Sequence, residues 1–397
     1  MRVALVIERM NPALGGRETY TAQVAAALAR RGVEVAVLCQ EAAWSADGVQ
    51  VHELGRRGAM RHQRLANFVT DAARAAGTVR GQSGFDIVHA MLPLPGATIY
   101  HPHGGVVEAS SAGSRARRGA VGRLLARFGT AVSQNRRLTS RLERQVVAGQ
   151  KTCCLCVSPK VAQQFRTHYG RTGNVRVVFN GVDAPGRDNP QRLQWRRQRR
   201  QELGLADAEP LFLMVATNLE LKGAAETIQS FASWISGADP PTQLRKGQLV
   251  IVGRRHADEY RKLARQLGVE AKVHLLPPTP ALFEWWAAAD VHVLLTWYDP
   301  CSLVVLEATR WGIPSVTTAM NGAADVLRGG GGIVVDSPRS TSAIVQALDE
   351  LADPQRRAER SRACLAVADT LSLERHVDSL VALYQELANS PADVKPD

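Results

Sequence analysis

Short, continuously apolar runs recur along this chain, and many are followed by a turn and a segment of helical periodicity. A run of a few apolar residues without polar alternation suits a strand buried on both faces, and such strands belong to parallel sheets covered by helices. Leu5–Ile7 opens the series. Gly15-Gly16 then marks a turn, apolar residues recur at Tyr20, Val24, Ala27 and Leu28, Gly32 stops the helix, and Val33–Leu38 supplies the next strand. This is a βαβ unit. Phe85–His89, Ala97–Tyr100, Thr152–Ser158 and Val175–Phe179 add strands to the same sheet, the last one running into an Asn180-Gly181 turn.

A second cycle begins at Leu211–Ala216, followed by a helix with Ala224, Ile228, Phe231 and Ile235 on one face. Strands at Leu249–Val252, Val273–Leu276, Val291–Leu295, Ser315–Thr317 and Ile333–Val335 alternate with helical patterns at His256–Leu267, Ala281–Ala288, Leu303–Trp311 and Thr341–Leu351. Between the cycles, Pro185–Gln201 is first rich in Pro, Gly and Asp and then strongly basic, with Arg192, Arg196, Arg197, Arg199 and Arg200. The expected division is an N-terminal domain over 1–185, a basic linker over 186–206, a second domain over 207–372, and a C-terminal helix with its tail over 373–397. The fold class is therefore α/β, with two Rossmann-like, doubly wound parallel-sheet domains.

A chain of 397 residues with 45 % apolar residues is neither disordered nor collagenous, and each domain can bury a core without disulfide staples. Cys39, Cys153, Cys154, Cys156, Cys301 and Cys364 sit mostly inside apolar stretches, the usage expected of a reduced, intracellular protein. Cys153 and Cys156 lack the second ligand pair that a zinc site needs, so they read as strand packing. The opening apolar run stops at Glu8, too early for a signal peptide, and no window approaches the roughly 18–20 apolar residues that span a bilayer. These features predict a cytoplasmic protein, soluble or peripheral. The net charge of +12 implies an anionic partner: nucleic acid, the inner membrane leaflet, or phosphorylated small molecules.

The most informative segment for chemistry is Tyr298-Asp-Pro-Cys-Ser-Leu-Val-Val-Leu-Glu307, which leaves a strand and enters a helix. Asp299 falls on the loop and Glu307 inside the helix. Ser302 and Leu303 fall near the helix start, where unpaired N–H groups favour anionic or oxygen-rich ligands. Two such carboxylates can hold the hydroxyls of a sugar and a ribose. An N-cap and a salt-bridged helical acid would give the same pattern without a ligand.

The segment resembles the Glu-x7-Glu signature of the family 4 retaining glycosyltransferases, with Asp299 in place of the first Glu. Further matches follow in order: Gly15-Gly16-Arg-Glu18, Phe85-Asp-Ile-Val-His89, His103-Gly104-Gly105, Asn180-Gly-Val-Asp183, Lys222-Gly223, Val252-Gly253-Arg254, Ala287-Ala-Ala-Asp290 and Asn321-Gly-Ala-Ala-Asp325. Leu142–Lys151 and Gln163–Tyr169 are similar to bacterial transferases that add glucose to heptose of the lipopolysaccharide core. The resemblance implies the GT-B fold: two facing domains, hinged at the linker and near the last helix, with that helix crossing back onto the first domain.

By the same resemblance, Glu307 holds the donor's ribose, Asp299 holds a sugar hydroxyl with help from the Ser302 and Leu303 N–H groups, and Lys222 binds the diphosphate. The arginine that usually precedes this lysine by some five residues is missing, and Arg254 is its candidate substitute. Gly15 and Gly16 let the backbone approach a phosphate or the sugar. His103 contacts the donor sugar, whereas His89 and His101 read as structural. Leu276 lies where the donor base is held. The implied donor is a nucleotide sugar, UDP-glucose first, and the implied acceptor belongs to the lipopolysaccharide core or a related envelope molecule. No cofactor or metal is expected, because Asp207-Ala-Glu209 precedes a strand instead of following a catalytic one.

From Gly113 to Lys151 ten basic residues, among them Arg115, Arg117, Arg118, Arg123 and Arg127, face the single acid Glu143. Leu124, Leu125, Phe128 and Val132 recur among them at helical spacing. This composition suits an interfacial helix on anionic lipid, and so a peripheral position on the inner face of the cytoplasmic membrane. Two other readings stay open: a nucleotide-sugar-binding protein without turnover, and a nucleic-acid-binding protein, for which the segment has little aromatic interleaving.

Overall fold

The structure is a computed structural model that describes residues 1–77, 84–116, 134–237, 245–253 and 257–389. The chain divides into two compact units. The first runs from Met1 to Ala112, continues to Gly181, and takes back the C-terminal segment from Leu373; the second comprises Val182–Ser372 with a short stretch from Gly113.

The main sheet of the first unit has strands β1 (Arg2–Val6), β2 (Glu34–Cys39), β3 (Val49–Glu53), β4 (Ile87–Ala90), β5 (Ile99–Tyr100), β6 (Cys153–Cys156) and β7 (Val175–Val177), all parallel, in the order β3-β2-β1-β4-β5-β6-β7, and Arg9–Met10 pairs with Glu41–Ala42 beside it. Val3 pairs with Val35 on one side and Ile87 on the other. Its helices are α1 (Gly16–Arg30), α2 (Arg61–Ala75), α3 (Val107–Ala116), α4 (Gln134–Ala148) and α5 (Pro159–Tyr169). Because neighbouring strand residues point to opposite faces, Val3, Leu5 and Ile7 join Val24 and Leu28 of α1 in one core. Ala4 and Val6 join Leu65, Phe68 and Val69 of α2 in the other. Both faces are covered there, which is why β1 is apolar at successive residues from Val3 to Val6.

The second unit holds α6 (Arg192–Glu202), then β8 (Leu211–Ala216), α7 (Ala224–Ser236), β9 (Gln248–Gly253), α8 (Ala257–Gln266), β10 (Val273–Leu276), α9 (Leu282–Ala288), β11 (Val291–Leu294), α10 (Leu303–Arg310), β12 (Ser315–Thr318) and β13 (Gly332–Val335), and closes with α11 (Thr341–Ala352) and α12 (Pro354–Ala368). Its sheet is parallel in the order β10-β9-β8-β11-β12-β13. Strand order therefore reverses between β8 and β11, and open α/β sheets bind ligands beyond the carboxyl ends of the strands at such a reversal.

The final helix, α13 (Leu373–Asn389), belongs to the first unit. Val377, Leu380 and Tyr384 enter the core that contains Val3 and Val24. The Tyr384 hydroxyl is hydrogen-bonded to His89 Nδ1 at 2.6 Å, and Arg31 Nε donates to Asp378 at 2.9 Å.

The basic segment read as a linker has another structure. Arg192–Glu202 is a helix of the second unit, held down by the very arginines that suggested a basic interdomain linker. Arg196 and Arg200 each donate to a different oxygen of Asp290 at 2.8 Å, Arg200 also donates to Ala206 and Glu209 carbonyls at 2.6 and 2.7 Å, and Arg199 pairs with Glu284 at 2.6 Å. Asp290 Oδ2 further accepts the Leu211 N–H at 2.9 Å, so the pair locks the start of β8. Arg196→Ala is expected to cost about 1–2 kcal/mol in urea denaturation, because Arg200 still neutralises Asp290.

The cysteines are all buried free thiols; burial pushes Cys153 up to about 12 and Cys154 up to about 11. Among the described residues no helix is long and apolar enough to cross a membrane, and no group of three or more His, Cys, Asp and Glu side chains could hold a metal ion.

Candidate active site

Lys222 and Asp299 follow β8 and β11, the two strands between which the order of the second sheet reverses. The turn after β8 is stitched to the loop after β11: the Leu221 carbonyl accepts the Trp297 N–H at 3.0 Å and the Thr296 hydroxyl at 3.3 Å. That stitching brings the Lys222 ammonium onto the Asp299 carboxylate. The Asp299 side chain is only 7 % exposed and that of Lys222 is 20 % exposed. Asp299 is held from its other side as well, since its N–H donates to Met320 at 3.1 Å and its carbonyl accepts the Gly322 N–H at 2.8 Å.

Helix α10 begins at Leu303, after Ser302. The N–H that reaches Asp299 is that of Cys301, at 3.2 Å to Oδ1. The Ser302 N–H, expected to assist Asp299, donates instead to Asn321 Oδ1 at 3.3 Å. Asn321 is buried, accepts the Ala323 N–H at 3.0 Å and donates to the Thr317 hydroxyl at 3.0 Å, so one amide ties the α10 entry to the end of β12. Its motif was visible in the sequence, but its role as a brace was not. Glu307 stands one turn into α10, where burial pushes its carboxyl up to about 7 and the neighbouring Trp286 side chain works in the opposite direction. Leu276 ends β10 at the edge of the same sheet and pairs with Val252 of β9. Arg254 lies outside the described residues.

In the first unit, Gly15 immediately precedes α1, and a Cβ there would stand 3.4 Å from the Glu18 carboxylate, an ordinary contact. Packing within the fold does not demand glycine at that position. Gly16 is the first residue of α1. His103 lies against Tyr20 and His101, with ring centroids at 4.1 and 4.2 Å. A buried network surrounds it: His89 Nε2 is hydrogen-bonded to His101 Nδ1 at 3.0 Å, and Tyr20 to His376 Nε2 at 2.7 Å. Burial holds His89 down at about 3 and His376 at about 4, and it also lowers His101 and His103 well below the ordinary imidazole value. His103 Nε2 is left without a hydrogen-bond partner.

Two family models match successive stretches of the chain. Residues 14–184 match Glycosyltransferase Family 4, and residues 196–363 match Glycosyl transferases group 1. Together these matches make the chain a glycosyltransferase with the GT-B fold.

Curated relatives of this glycosyltransferase include a D-inositol 3-phosphate glycosyltransferase of Thermomonospora curvata, 30 % identical over 61 % of this chain and 58 % of the relative. The lipopolysaccharide glucosyltransferase WaaG of Escherichia coli is 27 % identical over 53 % of this chain and 58 % of its own length. The aligned part thus spans under two thirds of either relative. A D-inositol 3-phosphate glycosyltransferase of Actinosynnema mirum is 29 % identical over 93 % of this chain and 92 % of its own. Among solved structures, WaaG superposes with a TM-score of 0.76 at 22 % identity, covering 96 % of this chain and 99 % of that one. Anabaena Alr3699/HepE in complex with UDP-glucose superposes at 0.70 and 16 % identity, covering 97 % and 100 %.

In this glycosyltransferase the predicted site residues are distributed between the units: Lys222, Leu276, Asp299, Ser302, Leu303 and Glu307 in the second, Gly15, Gly16 and His103 in the first. Of the basic residues assigned to a membrane or acceptor surface, Arg115 falls in α3, and Arg117, Arg118, Arg123 and Arg127 lie outside the described residues.

Proposed function

We propose that this glycosyltransferase moves a hexose, glucose in the first instance, from a UDP-sugar to an envelope acceptor of the lipopolysaccharide-core type, with retention and without a metal. The observation that carries the donor part is the Lys222–Asp299 pair at the reversal point of the second sheet, with Glu307 one turn into the adjoining helix. A cation there meets more negative charge as the diphosphate leaves, so it stabilises the transition state more than the ground state. Asp299 takes a sugar hydroxyl, Glu307 the ribose hydroxyls, and Leu276 borders the base. His103 offers the transferred sugar the ring nitrogen that its own network leaves unpartnered. The bond from the anomeric carbon to the phosphate oxygen breaks on the face where the acceptor oxygen bonds, and the acceptor's proton passes to the β-phosphate. HepE, a structural neighbour, is solved with UDP-glucose, which supports the donor class.

The E. coli relative supports an envelope acceptor, and the basic segment containing Arg115 suits docking on an anionic membrane face. The names of the Thermomonospora and Actinosynnema relatives favour a second reading, a small phosphorylated polyol as acceptor.

Glu307 provides the test of the donor site. A carboxyl at about 7 ionises across the neutral range, and ribose hydroxyls donate to the ionised form. UDP affinity is therefore expected to rise about tenfold from pH 6 to pH 8 by calorimetry, and Glu307→Gln to flatten that rise. The stability sign is opposite. The folded carboxyl holds its proton above the unfolded value, so Glu307 costs stability progressively as pH rises from about 4.5 to about 7. An unchanged UDP profile in Glu307→Gln, or no UDP binding at all, would end this assignment.

A further inference from the structure

We infer that the first unit carries a phosphate-binding site for the acceptor, built from arginines that the donor reading does not use. Beyond the carboxyl ends of β1, β2 and β3 lies a cavity of about 280 Å³, lined by Glu8, Arg9, Arg17, Gln40, Arg56, Arg61 and Arg64. Glu8 and Arg9 follow β1, Gln40 follows β2 and Arg56 follows β3, while Arg17 stands in the first turn of α1 and Arg61 and Arg64 in that of α2. Strand ends and two helix starts thus converge on one space, the position in which parallel sheets receive ligands.

Three of these arginines keep at most a weak carboxylate partner among the described residues. Arg9 and Arg61 have no carboxylate partner among the described residues. Arg56 stands 3.7 Å from Glu41 with both side chains about half exposed, a weak pair. Arg17 pairs with Glu18 at 2.8 Å. Arg64 is fixed by donating to the Gly58 and Ala59 carbonyls at 2.8 and 2.7 Å, and buried Gln40 donates to the Arg64 carbonyl at 3.2 Å. Five guanidinium groups around one lining carboxylate repel one another, and a bound anion relieves that cost. Their planar forks match phosphate oxygens in pairs. The volume lies near the lower end for small-molecule sites, enough for a phosphate and part of the sugar or polyol that bears it.

This inference rests on the transferase reading, because it assigns the cavity to the acceptor. The test uses the full chain, the double variant Arg9→Gln/Arg61→Gln, and Arg197→Gln, at an exposed position of α6, as a control. Each is titrated with glycerol 3-phosphate, with glycerol, and with phosphatidylglycerol vesicles, and separately with UDP. The expected result is phosphate binding that weakens about tenfold or more in the double variant, unchanged in the control, with UDP affinity kept within about twofold. Loss confined to glycerol 3-phosphate assigns the phosphate to a small soluble acceptor; loss confined to vesicles assigns it to a lipid headgroup. Equal binding of both probes by wild type and double variant overturns the site. Failure of UDP to bind any of the proteins would instead count against the donor reading, while the phosphate titrations would still decide this one.

Discussion

Lys222→Ala is expected to lower sugar transfer about 100- to 1,000-fold, the loss typical when one preorganised charge donor is withdrawn from a leaving group. The effect on folding is separate and smaller. Asp299 then keeps the Cys301 N–H but loses its cation at a site where its side chain is only 7 % exposed. With Lys222 itself a fifth exposed, water screens part of that loss, and about 1–3 kcal/mol is expected in urea denaturation. Asp299→Asn gives the opposite signature for the donor. It frees the ammonium from its present partner, so UDP should bind more tightly by calorimetry even as transfer falls for want of a sugar ligand. Parallel loss of UDP binding in both variants would show that the pair is structural and that Lys222 does not meet the diphosphate.

Gly223→Ala should be the most damaging single change to stability, at least about 4 kcal/mol. Gly223 has φ +77°, a region that costs an alanine about 1 kcal/mol or more by itself. Lack of space costs more than the backbone angle. A Cβ on Gly223 would fall 2.0 Å from the Leu295 carbonyl oxygen and 2.8 Å from its carbon. Leu295 directly follows β11, so it can yield only by pulling Thr296 and Trp297 away from Leu221, which is the stitching that sets Lys222 against Asp299. Soluble yield and the denaturation midpoint are the measurements, and a wild-type midpoint would mean that this close approach does not exist in solution.

Much of the fold was legible because buried parallel strands announce themselves locally. Leu211–Ala216 is apolar at six successive residues and Val291–Leu294 at all but His292, and no neighbour is needed to see it. Of the helices that escaped notice, some lack an apolar stripe. Arg192–Glu202 is the clearest case: its residues look like a basic interdomain linker until Asp290 and Glu284, some 85 to 94 positions away, supply their partners. Legibility in the candidate site followed the same division. Asp299, Ser302, Leu303 and Glu307 lie in one stretch of chain and could be read together, and Lys222 stood beside a telling glycine. The distribution of N–H groups among them could not be read, and the structure moves the Ser302 donor to Asn321. The arginine cavity escaped altogether, since Arg9 and Arg56 lie beyond the ends of different strands and Arg17, Arg61 and Arg64 at the starts of two helices.

What the sequence determined by itself is the alternation of strand and helix, the division into two parallel-sheet units, and the residue types available to the candidate site. Those follow from hydrophobic period and turn chemistry, which act over a few residues. Tertiary structure alone decided that Lys222 meets Asp299 across 77 positions, that Tyr384 reaches back 295 positions to His89, and that five arginines share one cavity. The first and last are convergences at strand ends and the second packs a helix on a face of the sheet; all depend on strand order and on which faces bury one another, a property that no local stretch of chain encodes.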